Sequence, residues 1–141
     1  MKDLRFILYH KQSTSGRTRF FRFAHGGVCG FVGLPTLSQV VDVHQEKTLS
    51  SIITHPAALL SDIQQRLGLL ATDLRIDGEY HEYVDAQNMM INIYLAHFTA
   101  IDPPFEMAEK QGGRFVELAQ SRDLSRPELE LLRRAYQLIL G

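Results

Sequence analysis

The sequence predicts an α+β domain: a mostly antiparallel sheet, made of an N-terminal hairpin plus later strands, packed by about three helices, two of them C-terminal. Three observations carry this. The chain opens with period-two apolar runs, a helix-period stripe interrupts them in the middle, and helical patterns close the chain after a second group of strands.

"DLRFILYHKQ" alternates, with Leu4, Phe6 and Leu8 on one side and Arg5, Ile7 and Tyr9 on the other, which is a strand. "STSG" (13–16) is a turn of small polar residues, and the aromatic run "RTRFFRFAH" returns as the second strand of a hairpin. "AHGGVCGFVGLP" (24–35) follows, with Gly26-Gly27 as a bend and "VCGFV" as a short third strand ended by Pro35. "SQVVDVHQ" reads as a fourth strand. "THPAALLSDIQQRLGL" has Thr54 or His55 as a cap, Pro56 just inside the start, and Gly68 at the stop. Its Leu59, Leu60, Ile63 and Leu67 fall on one helical stripe.

"LRIDGEYHEYV" places Asp77-Gly78 between two strand-like runs, the signature of a tight hairpin. "MMINIYLAHFTAI" is apolar on both faces and reads as a central strand covered on both sides. Asp102-Pro103-Pro104 then starts a helix carrying Phe105, Ala108, Phe115, Val116 and Ala119, with Gly112-Gly113 in its middle. Ser125 stands three residues before Glu128, the spacing of a capping box, and opens a last helix with a buried stripe of Leu129, Leu132, Tyr136 and Ile139.

At 141 residues the chain is expected to be a single domain, 1–141, with enough buried surface to fold without disulfide or metal. Its 45% hydrophobic and 22% charged residues are those of a globular protein rather than a disordered one. No apolar run approaches the ~20 residues of a membrane span. The first residues do not read as a signal peptide. Cys29 is the only cysteine, which excludes an intramolecular disulfide and the zinc patterns built on paired cysteines. The expectation is a cytoplasmic protein that does not engage membranes and encodes no cofactor.

The net charge of −1 is unevenly spread. Residues 1–24 hold six Lys/Arg against one acid, and residues 25–85 hold three against eight. Such a balance gives no whole-chain attraction to nucleic acid, but it lets the N-terminus of one copy meet the middle of another.

The motifs are weighed against simpler explanations. Glycines 26, 27, 30 and 33 do not have the spacing of a dinucleotide fingerprint, and no Gly-Lys-Ser/Thr ending makes a phosphate loop. His25 and Cys29 would share a strand face but stand about 13 Å apart along it. Cys29 is thus a weak candidate for a reactive thiol, with burial the simpler fate. Along an extended "DGEYHEYVD", Glu79, His81 and Asp85 share one face and are weak candidates for metal or acid–base work. No further ligands are identifiable, so the expectation is no metal. Arg5, Tyr9, Lys11, Phe20 and Arg22 interleave basic and aromatic side chains on the outer face of the first hairpin. That chemistry suits single-stranded nucleic acid, although coverage by a helix or a second subunit explains the same pattern better. Asn92, His97, Thr99 and Asp102 bring polarity into an apolar strand and its end, where a small-molecule pocket would be sought first.

The reading that follows is a small binding or regulatory domain acting through protein–protein contact as a homodimer. The alternatives are a small-molecule-binding protein or enzyme near His97/Asp102 or the Glu79/His81 face, and nucleic-acid binding by the hairpin.

Overall fold

A computed structural model describes residues 3–42, 56–87 and 89–141. Strands β1 (Asp3–Lys11) and β2 (Thr18–Arg22) form the expected antiparallel hairpin, with Tyr9 opposite Phe20. β3 (Gln39–Val40), helix α1 (Ala57–Leu67), β4 (Leu74–Asp85) and β5 (Met90–Phe98) follow. Helix α2 (Phe105–Lys110), β6 (Arg114–Val116), a 3₁₀ turn (Leu118–Gln120) and α3 (Arg126–Leu140) complete the chain. The six strands form one curled sheet in the order β3-β4-β5-β1-β2-β6. Four of its five pairings are antiparallel, and β1 runs parallel to β5. The α+β class is therefore the observed one, with three helices among the described residues, two of them toward the C-terminus.

The sheet is covered on both sides, which explains why β5 and β1 are apolar in both phases. Phe6, Leu8, Phe21, Tyr94, Ala96 and Phe98 pack with Leu60, Ile63 and Leu67 of α1 and with Met107 and Ala108 of α2. On the other side Ile7, Tyr9, Phe20, Ile91, Ile93 and Leu95 pack with Leu131, Leu132 and Ala135 of α3. The outward apolar residues of the first hairpin, Ile7 (0% exposed), Tyr9 (7%) and Phe20 (0%), are thus covered by a helix of the same chain. The apolar argument for self-association is taken up within the fold.

Helix α1 keeps its predicted stripe and ends at Gly68, whose φ of 71° lets its N–H and that of Leu69 bond back to the carbonyls of Gln65 and Gln64. Its N-cap is Pro56; Thr54 and His55, expected as caps, lie outside the described residues, as do positions 43–45 of the expected fourth strand.

Several expectations are corrected. The "VCGFV" segment is an irregular loop rather than a strand. The carbonyls of Cys29, Val32 and Gly33 bond the Arg5 guanidinium (3.3, 2.7 and 3.1 Å) and the Val28 N–H donates to Glu128 (2.8 Å), so side chains satisfy this backbone in place of a ladder. Asp77-Gly78 is not a hairpin turn. The runs on either side of it do not pair with each other; both pair with β5 as one long strand, and residues 77–80 bulge out opposite Leu95 alone, between the pairs Ile76–Ala96 and His81–Tyr94.

The helix expected through Ala119 stops at Lys110. A Cβ on Gly113 would lie 2.4 Å from the Arg22 carbonyl oxygen, so the chain passes close to β2 here and continues as β6, paired with that strand. Ser125 is the N-cap of α3, but Glu128 does not close a capping box. Its carboxylate accepts from Ser125 Oγ and from the Val28 N–H, tying the helix start to the loop. The buried stripe is consequently Leu131, Leu132 and Ala135, with Leu129 and Tyr136 at its margin.

Candidate functional site

The four residues proposed for a pocket are not brought together. Asn92 bonds His81 on the neighbouring strand at 2.9 Å. Thr99 Oγ1 donates to the Thr72 carbonyl and Asp102 accepts from Gln12. His97 lies on the opposite face of the sheet from Asn92, because the strand alternates, and there it meets an unforeseen partner.

That partner is Asp77. The bulge in β4 turns its carboxylate over the end of β5, where Oδ1 stands 2.7 Å from His97 Nδ1. The other oxygen, Oδ2, accepts a hydrogen bond from the Tyr9 hydroxyl. Tyr9 stands directly across from His97 in the parallel β1–β5 pairing, with ring centroids 5.8 Å apart. Burial first, then the hydrogen bond and charge of Asp77, push the Tyr9 phenol well above its ordinary range, so it stays protonated and donates. A carboxylate only accepts, so His97 must carry its proton on Nδ1. In the neutral ring Nε2 is then a free acceptor, and it has no partner among the described residues. The His97 side chain remains 31% exposed, so ring and solvent are in contact. A histidine aligned by a carboxylate in this way can take and return a proton at Nε2. Sequence reasoning singled out His97 but read Asp77 as a turn residue.

His81 lies on the α1 side of the sheet, stacked on Tyr94 (4.5 Å between centroids) and beside Tyr83 (4.6 Å), with Asn92 as its hydrogen-bond partner. Asp85 caps the turn that follows through the Gln87 N–H, and Glu79 sits on the exposed bulge. Among the described residues no three His, Cys, Asp or Glu side chains group as ligands for a metal ion.

The basic and aromatic residues of the first hairpin have structural partners. Arg5 is held by Asp3 and by the loop carbonyls. Arg22 makes a two-pronged pair with Asp123 (2.9 and 2.6 Å) and bonds the Gly26 carbonyl. Lys11 reaches the Ile139 carbonyl, while Tyr9 and Phe20 are buried under α3. These residues form no open aromatic sheet face. Cys29 is buried, and burial together with the charge of Glu128 pushes its thiol up, outweighing the nearby Arg5. The His25 ring is occupied elsewhere: Nδ1 accepts from the Gly27 N–H, so Nε2 donates to the Gly30 carbonyl at 2.8 Å. Among the described residues no helix is long and apolar enough to cross a membrane.

No protein-family model matches the chain, and no curated protein does. Among solved structures the fold is similar to that in the crystal structure of a C. elegans Ap4A hydrolase. The superposition covers 100% of both chains with a TM-score of 0.57 and 16% sequence identity. At that identity the likeness shows a shared fold.

Proposed function

We propose that this protein acts on a small molecule by acid–base chemistry, with His97 as the group that exchanges a proton with the ligand. The observation that carries the reading is the Tyr9–Asp77–His97 arrangement, in which residues from three strands fix one imidazole with Nε2 open. Asp77 is the positioning residue: it accepts from Nδ1 and so sets the tautomer and the ring orientation. Tyr9 occupies the second oxygen of Asp77 and restrains the carboxylate. The shared fold with an Ap4A hydrolase supports a small-molecule role and makes hydrolysis the first reaction to try, with Ap4A itself the first compound.

The experiment is turnover of Ap4A, followed by a panel of small esters and phosphate compounds, by the wild-type chain and by His97→Gln and Asp77→Asn. Loss of a general base commonly slows a reaction about 10²–10⁴-fold. His97→Gln is expected to lose activity on that scale, and Asp77→Asn to lose less, with both melting near the wild type. Unchanged turnover in His97→Gln would overturn the assignment. So would a panel in which no compound is turned over and none raises the melting temperature.

A further inference from the structure

We propose a second site, independent of His97: the cleft between the β1–β2 turn, the 3₁₀ turn and α3 binds a small organic phosphate. The cleft encloses about 630 Å³, within the range of ligand pockets, which is about 300–1,000 Å³. Three arginines line it from three different parts of the chain. Arg17 comes from the turn, Arg122 from the segment after the 3₁₀ helix, and Arg133 from α3. Arg17 is 3.7 Å from Glu117 in a loose, half-exposed pair. Arg122 and Arg133 have no ion-pair or hydrogen-bond partner among the described residues, so three cations face one carboxylate.

A phosphate in the cleft would take the guanidinium forks, which match phosphate geometry better than an ammonium does. The rest of the wall is apolar and phenolic. Leu118, Leu129 and Tyr136 line it, and Leu118 and Tyr136 also pack against the α3-side core. That wall calls for an organic body behind the phosphate rather than the free ion.

Calorimetric titration of the full chain at low salt tests this with phenyl phosphate, inorganic phosphate and benzoate as probes. Phenyl phosphate is expected to bind, to weaken as salt rises, and to bind at least 10-fold more weakly to the Arg122→Gln/Arg133→Gln double variant. Both replaced residues are exposed, and unchanged melting confirms that the variant folds. Glu117→Gln is expected to bind more tightly than wild type, giving a readout that loss of folding cannot mimic. The site is overturned if the wild type does not bind phenyl phosphate, or if the double variant binds it equally. Equal affinity for benzoate would overturn the phosphate assignment, and equal affinity for inorganic phosphate would overturn the organic body. His97→Gln is expected to leave this binding unchanged, so failure here and failure of the acid–base reading are separately visible.

Discussion

Arg22 shows how a single side chain is used twice at the residue scale. Its guanidinium closes the bend after β2 through the Gly26 carbonyl and anchors the start of the C-terminal region through Asp123. The Arg22 hydrogen bonds hold the Asp123 carboxyl below its ordinary value. A carboxylate lowered on folding contributes stability above its unfolded value, about 3.9, and loses it as pH falls through the lower folded value. Asp123→Asn is therefore expected to lower the melting temperature at pH 7, with the gap to wild type closing below about pH 4. Parallel melts across pH check this, and a gap that persists at pH 2 would count against it. Cys29 is the opposite case, a group with no task outside the core. Ellman's reagent at pH 8 is expected to label it slowly in the native chain and fully on unfolding. The lone cysteine was easy to find in the sequence, but its burial comes from packing with β1, β5 and α3 residues far from it along the chain.

Elements were legible where their pattern is local. The first hairpin, α1 and β5 follow from period two, period 3.6 and two-sided apolarity, and each forms where those patterns place it. Elements whose fate depends on a distant neighbour were not. The strand expected at "VCGFV" competes with Arg5 for its carbonyls, and the side chain wins. The helix after Asp102 is cut short because Gly113 must pass the Arg22 carbonyl. Gly113→Ala is expected to destabilise by about 1–3 kcal/mol, the usual cost of forcing an added carbon into a packed site, because backbone cannot yield as a flexible side chain can. Helix α3 supplies the cover for the face that otherwise looked like a dimer surface. Leu132 is fully buried there, and Leu132→Ala is expected to cost about 2–5 kcal/mol in chemical denaturation. A loss under about 1 kcal/mol would mean that α3 does not seal this face as described.

At the scale of the whole molecule, the sheet order makes the candidate site. β5 lies between β4 and β1, so His97 has Tyr9 on one side and the bulge of β4 on the other. The bulge also changes which face each residue presents. Leu74 and Ile76 pack on the α1 side, whereas Tyr80 and Val84 pack under α3, although all four stand at even positions. Asp-Gly between two strand-like runs is the local signature of a tight turn, which is why Asp77-Gly78 read as a hairpin and Asp77 as a turn residue. The sequence signalled a break at the right place. Only the pairing of both halves with one strand turns the break into a device that aims a carboxylate.

The most direct test of this arrangement is the protonation site of His97, read from its ring ¹⁵N shifts at a pH where the imidazole is neutral. The wild-type chain is expected to hold the proton on Nδ1, with Nε2 unprotonated, and Asp77→Asn is expected to lose that preference. A neutral His97 that carries its proton on Nε2 in the wild type would contradict the account, since Asp77 would then have no hydrogen to accept and Nε2 no lone pair to offer.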